Sequence, residues 1–142
     1  MSPARDEGGA PLSDLDYQRL ATFRYALRTF LRFSEEAARE HGLTPNQHQM
    51  LLAIRGWTGD TAPSISDLAE RLQLRHHSTV ELAQRAASGG LVTFVADPAD
   101  GRRQLLELTP AGIYKLTELS VLHRDELRRF QRQLRDVLDV LD

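Results

Sequence analysis

Apolar side chains recur at steps of three and four along the first stretch of the chain, at Leu20, Phe23, Leu27, Phe30, Leu31 and Ala38. That spacing predicts a long amphipathic helix. Ser13 stands where a cap belongs, Gly42 ends the pattern, and Arg24, Arg28, Arg32 and Arg39 occupy the other faces. "LTPNQHQMLLAI" opens a second helix: Thr44 is its N-cap, Pro45 its first residue and Gln47 the partner a capping box requires. It should run to about Arg55 and give way to a loop, "GWTGDTAP", whose Trp57 folds back as a core or interface aromatic. Ser64, with Asp67 three residues on, starts a short helix burying Leu68, Ala69 and Leu72. In "LRHHSTVELAQRAASGGLV" one stripe holds Thr79, Leu82, Ala83 and Ala86, and the opposite face shows His76, His77, Val80, Glu81, Gln84 and Arg85. Small residues on the stripe allow close packing, and Gly89 and Gly90 are expected to stop the helix in left-handed conformations.

Two short β-branched or leucine-rich runs, "LVTFVA" and "QLLELT", flank the turn "DPADGRR", the pattern of a β-hairpin. Thr109 caps a further helix with Pro110 in its first position, and the sequence stays helix-compatible from there to its end. Leu127, Phe130, Leu134, Val137 and Leu141 form a coiled-coil-like seam in that tail. The order of elements describes a mainly α chain with a small β-hairpin wing: a winged helix-turn-helix between long N- and C-terminal helices. The boundaries expected are a flexible leader at 1–13 and a single domain at 14–142, with the winged helix-turn-helix at 43–109 and the long helices at 14–42 and 110–142.

Composition narrows the chemistry. There is no cysteine, so disulfides, thiolate metal sites and thiol nucleophiles are excluded. No segment of the sequence resembles a signal peptide or approaches the length of a bilayer span, and a cytoplasmic protein with no membrane partner is expected. The net charge of −2 hides a local excess of positive charge, since Arg71, Arg75, Arg85, Arg102 and Arg103 stand against Glu81, Asp97 and Asp100. Every basic side chain except Lys115 is arginine, which suits bidentate phosphate contacts and equally reflects base composition.

In a helix-turn-helix the second helix enters the major groove and its N-terminal residues meet base edges. Here that helix starts near Arg75, and His77, Val80, Glu81 and Gln84 would face bases, with His76 and Arg85 on the same face. Ser78, Thr79 and the backbone amides of the helix start would meet phosphates. Glu81 repels phosphate and would accept from a cytosine amino group. In the wing, Asp100 is expected to grip the guanidinium of Arg102 and aim it into a minor groove, leaving Arg103 free for a backbone phosphate. Asp97 has no role beyond turn formation. Two blander readings stay open: a surface helix in an all-α domain, and a solvated hairpin whose ion pair contributes little. A third retains the winged helix as a protein-interaction module without DNA binding, motivated by the acidic balance and Glu81. No nucleophile–base pair, phosphate loop, carboxylate cleft or metal motif points to an enzyme.

The pieces "LTPNQHQMLLAI", "SISDLAERL", "HHSTVELAQRAASGGLV" and above all "DPADGRRQLLELTPAG" resemble a MarR-family transcriptional regulator, over about Leu15 to Leu141. The resemblance implies a homodimeric, sequence-specific regulator of transcription, a ligand-responsive repressor in a stress response, bound to a palindromic double-stranded operator. Its terminal helices would form the dimer interface, with Leu20, Leu127, Phe130, Leu134, Val137 and Leu141 as interface residues. It also implies no cofactor but a small aromatic or phenolic effector in a cleft near Arg24, Phe30, His48 and Trp57, and the absence of cysteine removes the peroxide-sensing branch. Ala83, Ala86 and Glu81 depart from the family pattern, and the tail is short, so its last two helices are merged or truncated. Metal sensing would have to use His41, His48, His76, His77 or His123, with Glu126 one turn after His123; such a pair is a frequent accident on helices, and no metal site is assigned.

Overall fold

The computed structural model describes residues 9–138. Leader residues 1–8 and Leu141, expected in the seam, lie outside the described residues. Helix α1 spans Asp14–Glu40, α2 Pro45–Arg55, α3 Ile65–Leu72 and α4 His76–Ser88; strands β1, Val92–Ala96, and β2, Gln104–Leu108, follow, and α5 spans Pro110–Leu138. Over the described residues the tail, expected to hold two helices merged or truncated, is the single helix α5. Among the described residues no helix is long and apolar enough to cross a membrane.

Local chemistry explains the boundaries. Ser13, Thr44 and Ser64 each sit in extended backbone and accept from the amide three residues on, while Asp16, Gln47 and Asp67 reach back to the cap amide, so α1, α2 and α3 all begin with reciprocal capping boxes. Helix α4 has Arg75 in its N-cap position and no side-chain cap bond. Gly42 (φ 77°) and Gly90 (φ 75°) adopt the left-handed conformation that ends α1 and α4. Gly89 does not: its φ of −79° continues the helical turn, so one glycine, not two, makes the stop.

The antiparallel hairpin pairs Val92 with Leu108 and Ala96 with Gln104. Its outer edge is covered, because the Leu106 amide donates to the Pro63 carbonyl at 2.9 Å and Ser64 bridges to Leu105. An edge strand is thereby joined to the residues that cap α3. The core gathers Met50 and Leu51 of α2, Leu68 of α3, Ala83 and Ala86 of α4, Leu106 of β2 and Leu119 of α5, all fully buried. Helix α2 touches α1, α3, α4, α5 and β2, and α1 runs against α5.

Docking of α5 requires a glycine. Thr109 donates its hydroxyl to the Gly90 carbonyl at 2.6 Å and its amide to the Leu91 carbonyl at 3.0 Å, and its hydroxyl oxygen accepts from the Gly112 amide at 3.0 Å. The first turn of α5 is thus pulled against the end of α4, where a Cβ on Gly112 would run into the Leu91 carbonyl.

Aromatic rings fill the seam between α1, α2 and α5. Phe30 stacks on Phe130 with ring centres 5.2 Å apart, Phe33 meets His123 edge-on at 5.3 Å, and His48 lies 5.0 Å from His123. The His123 Nδ1–H donates to the Leu119 carbonyl at 2.6 Å. That tautomer leaves Nε2 bare, and both this atom and His48 Nδ1 are buried without a partner. Burial, followed by repulsion from His123, pushes His48 down from 6.5 to about 4.

Two outcomes follow from these contacts. Gly112→Ala should destabilise the fold by about 1–3 kcal/mol, because the Leu91 backbone must move; urea unfolding measures it, and an unchanged midpoint would exclude the close approach. His48 takes up its proton near 6.5 when unfolded and only near 4 when folded, so its contribution to stability is complete above 6.5 and is lost as pH falls towards 4. Unfolding curves at descending pH should show a loss of up to about 3 kcal/mol from this residue, and His48→Phe should flatten it; equal slopes in the two proteins would refute the assignment.

Candidate nucleic-acid interface

The turn between α3 and α4 is short because Gln73 takes a left-handed conformation, φ 54°. Its side-chain amide donates to the Glu70 carbonyl at 2.8 Å, and the Leu74 amide donates to the Ala69 carbonyl at 3.0 Å, closing α3 in two consecutive bonds. Helix α4 then leaves with Leu82, Ala83 and Ala86 buried. Arg75, His76, His77, Glu81, Gln84 and Arg85 are exposed along its other face, and Ser78 and Val80 are half-buried at the margins.

Thr79 does not belong to that face. It is fully buried, and its hydroxyl donates to the Arg75 carbonyl at 2.9 Å. The phosphate contact expected of it is therefore corrected: its position on the buried stripe, three residues before Leu82 and four before Ala83, turns it inward.

The wing differs from expectation in two further respects. Asp100 does not grip the Arg102 guanidinium; its carboxylate accepts from the Arg102 backbone amide at 3.1 Å, and the Arg103 amide returns to the Asp100 carbonyl at 2.9 Å. A short acidic side chain bonding two residues on is the ordinary device of an Asx turn, and it wins over a guanidinium that must be held against its own rotamer entropy. Arg103 is not free either. Its Nη2 donates to Ser64 Oγ at 2.9 Å and to Asp67 Oδ2 at 3.3 Å. Asp97 closes the opposite side of the turn: it is buried, accepts from the Ala99 amide at 2.9 Å, and its own amide donates to the Arg103 carbonyl at 2.9 Å. Arg102 remains as the exposed wing cation. Ser64 and Asp67 are the residues that the sequence reading missed here; their capping pattern was visible, but nothing local signalled a bond to a side chain 39 residues away.

The residues expected to line an effector cleft fall in different places. Phe30 and His48 join the aromatic seam through His123. Trp57 lies beyond the end of α2, with the Arg71 guanidinium 5.3 Å over its ring, and borders an open cavity of about 430 Å³ with Arg55, Asp60, Glu107 and Ile113. Arg24 is exposed on α1. Of the expected interface set, Leu20 and Leu127 are exposed, whereas Phe130 is stacked on Phe30, Leu134 is half-buried and Val137 is buried within its own chain. Val137 is thus corrected to an intramolecular core residue. Glu126 is engaged by Arg129 at 2.8 Å, and among the described residues no three metal-ligating side chains gather.

Comparison with known proteins agrees with this architecture. Residues 41–103, from the end of α1 to the wing, match the model of the MarR family. A curated relative from Thauera aromatica, named as a transcriptional regulatory protein for the hcr operon, is 29% identical over 105 residues; the match covers 72% of this chain and spans 61% of the relative's length. The fold is similar to that of AbsC, a MarR family transcriptional regulator from Streptomyces coelicolor, with a TM-score of 0.73 and 21% identity over 93% of this chain and 90% of that one. It is similar also to MepR of S. aureus in its complex with DNA, with a TM-score of 0.67 and 19% identity over 78% of this chain and 80% of that one. The family match thus spans both helices of the helix-turn-helix and the turn of the wing, and the fold around it is similar to that of MarR family regulators.

Proposed function

We propose that this protein is a transcriptional regulator that binds double-stranded DNA as a homodimer. The observation that carries the reading is the joint display of one polar helix face and one wing cation: Arg75, His76, His77, Glu81, Gln84 and Arg85 on α4, with Arg102 exposed beside them in chain order on the hairpin. In this reading α4 reads the major groove, Gln84 and His77 meet base edges, and Arg102 enters the flanking minor groove. Residues 43–109 form the DNA-reading unit, and 14–42 with 110–142 the dimerising one. The long helices support that division, since Leu20, Tyr25, Leu31, Val121 and Leu127 leave an apolar series uncovered, each at least 40% exposed. Two copies would place their α4 helices about one DNA turn, roughly 34 Å, apart on a palindromic operator.

The reading extends to a ligand-responsive repressor. An aromatic or phenolic effector would act by favouring one dimer spacing over another. The aromatic seam that holds Phe30 and His48 lies where α1 and α5, the helices of the dimerising unit, meet α2.

Arg102→Ala should weaken binding to a selected operator duplex by about 1–3 kcal/mol and lessen the salt dependence, measured by fluorescence anisotropy; unchanged affinity would remove Arg102 from the interface. Leu20→Glu combined with Leu127→Glu should convert a dimer to a monomer in sedimentation velocity and abolish operator binding with it. A persistent dimer would place the subunit contact elsewhere. If the wild type shifts no duplex at low salt and holds a protein partner instead, the interaction-module reading replaces this one.

A further inference from the structure

The contact between Arg103 and the start of α3 joins two parts of the molecule that the local sequence does not connect. Ser64 is 3% exposed, yet its hydroxyl oxygen accepts from both the Asp67 amide at 3.2 Å and Arg103 Nη2 at 2.9 Å, using both lone pairs. Asp67 Oδ2 accepts from the Ser64 amide at 2.9 Å and from Arg103 Nη2 at 3.3 Å. One guanidinium nitrogen therefore bonds both members of the α3 capping box. Next to it the backbone is tied as well, by the Leu106 amide to the Pro63 carbonyl, a bond of the antiparallel bridge between Ser64 and Leu105. The Arg103 main chain meanwhile closes the wing turn, accepting from the Asp97 amide and donating to the Asp100 carbonyl. Arg103 thus holds the turn with its backbone and the helix-turn-helix with its side chain. Arg102 is its immediate neighbour and has no side-chain partner among the described residues.

We propose that Arg103 is a positioning residue for DNA recognition: by clasping Ser64 and Asp67 it fixes the wing against α3 and so sets where Arg102 stands relative to α4. This rests on the DNA-binding reading above for its consequence, though not for the clasp itself. The Arg103 side chain is about half exposed, so the ion pair with Asp67 adds little to global stability. Its effect is on order. A hairpin tip of exposed residues held only at its base samples many directions, and each must be given up on binding. A pre-set wing gives up fewer. Arg103 acts without touching phosphate, which separates it from Arg102 in experiment.

The test uses the full chain and a duplex selected from random-sequence DNA by the wild type, with affinity measured across a range of salt concentrations. Arg103→Ala should bind about tenfold more weakly at each salt concentration, with the slope of affinity against salt unchanged. Asp67→Asn, which keeps a capping oxygen, should weaken binding in the same way, and the double variant should be no weaker than Arg103→Ala alone. Amide hydrogen exchange without DNA should quicken at Asp97 and at residue 103 in the Arg103→Ala protein. A fall in slope by about one phosphate contact, with additive losses in the double variant, would make Arg103 a direct DNA contact and overturn the proposal. So would unchanged affinity, even with faster exchange. If the wild type binds no duplex, the DNA-binding reading fails, and the exchange data alone then decide the clasp: unchanged exchange overturns it, faster exchange upholds it.

Discussion

Burial of α2 is the constraint on which the rest of the architecture depends. At 11 residues it is too short to hold its shape alone, and it persists because Met50 and Leu51 are fully enclosed while α1, α3, α4, α5 and β2 all rest against it. The terminal helices and the elements that present α4 and the wing therefore share one support. His48, on the α5 side of that helix, sits within an aromatic seam and has no partner for Nδ1. A ligand or a proton that shifts α5 relative to α2 has a packed route to α4, and its effect is bounded by how much better it binds one arrangement than the other.

The wing is built by backbone bonding, not by ion pairs at its tip. Asp97 and Asp100 each bond an amide two residues on, so both carboxylates that flank the turn shape the chain. The guanidinium that is held belongs to Arg103, the last residue of the turn before β2, and it is held against Ser64 and Asp67 at the start of α3. Rigidity enters where the turn meets the start of α3, and the exposed Arg102 extends from a neighbour that is already fixed.

Most of the fold was legible because its signals are local. Ser13, Thr44 and Ser64 with their partners three residues on mark helix starts whatever lies around them, and the alternation around Pro98 and Gly101 marks a hairpin. The misreadings share a cause. Which of Gly89 and Gly90 turns left-handed depends on how α4 meets Leu91, and Val137 is buried by the packing of α5 against the rest of the chain, not by its place in a seven-residue pattern. Thr79 was placed on the core stripe by periodicity, and its assignment to phosphate contradicted that placement; burial settles the conflict for the stripe. In "DGRR" the residue types were informative but the partners were not, because two arginines in sequence differ only in what the fold brings to them. Ser64 and Asp67 reach Arg103 across 39 and 36 residues, and no motif encodes that distance.

Glu81 bears on how such a face would discriminate. It is exposed in the middle of α4, four residues before Arg85, and no ion pair neutralises it among the described residues. Within the DNA-binding reading, a free carboxylate on the groove-facing side is repelled by phosphate along any duplex, which lowers non-specific affinity without regard to sequence. It recovers that loss only where a base edge offers a donor, and in the major groove the cytosine amino group does so most directly. A carboxylate at this position therefore lowers affinity in general and raises the ratio between the right site and the wrong ones, the quantity that matters to a regulator facing a genome of competing sites. The acidic balance that first argued against nucleic acid is, at this one residue, consistent with selective recognition of it.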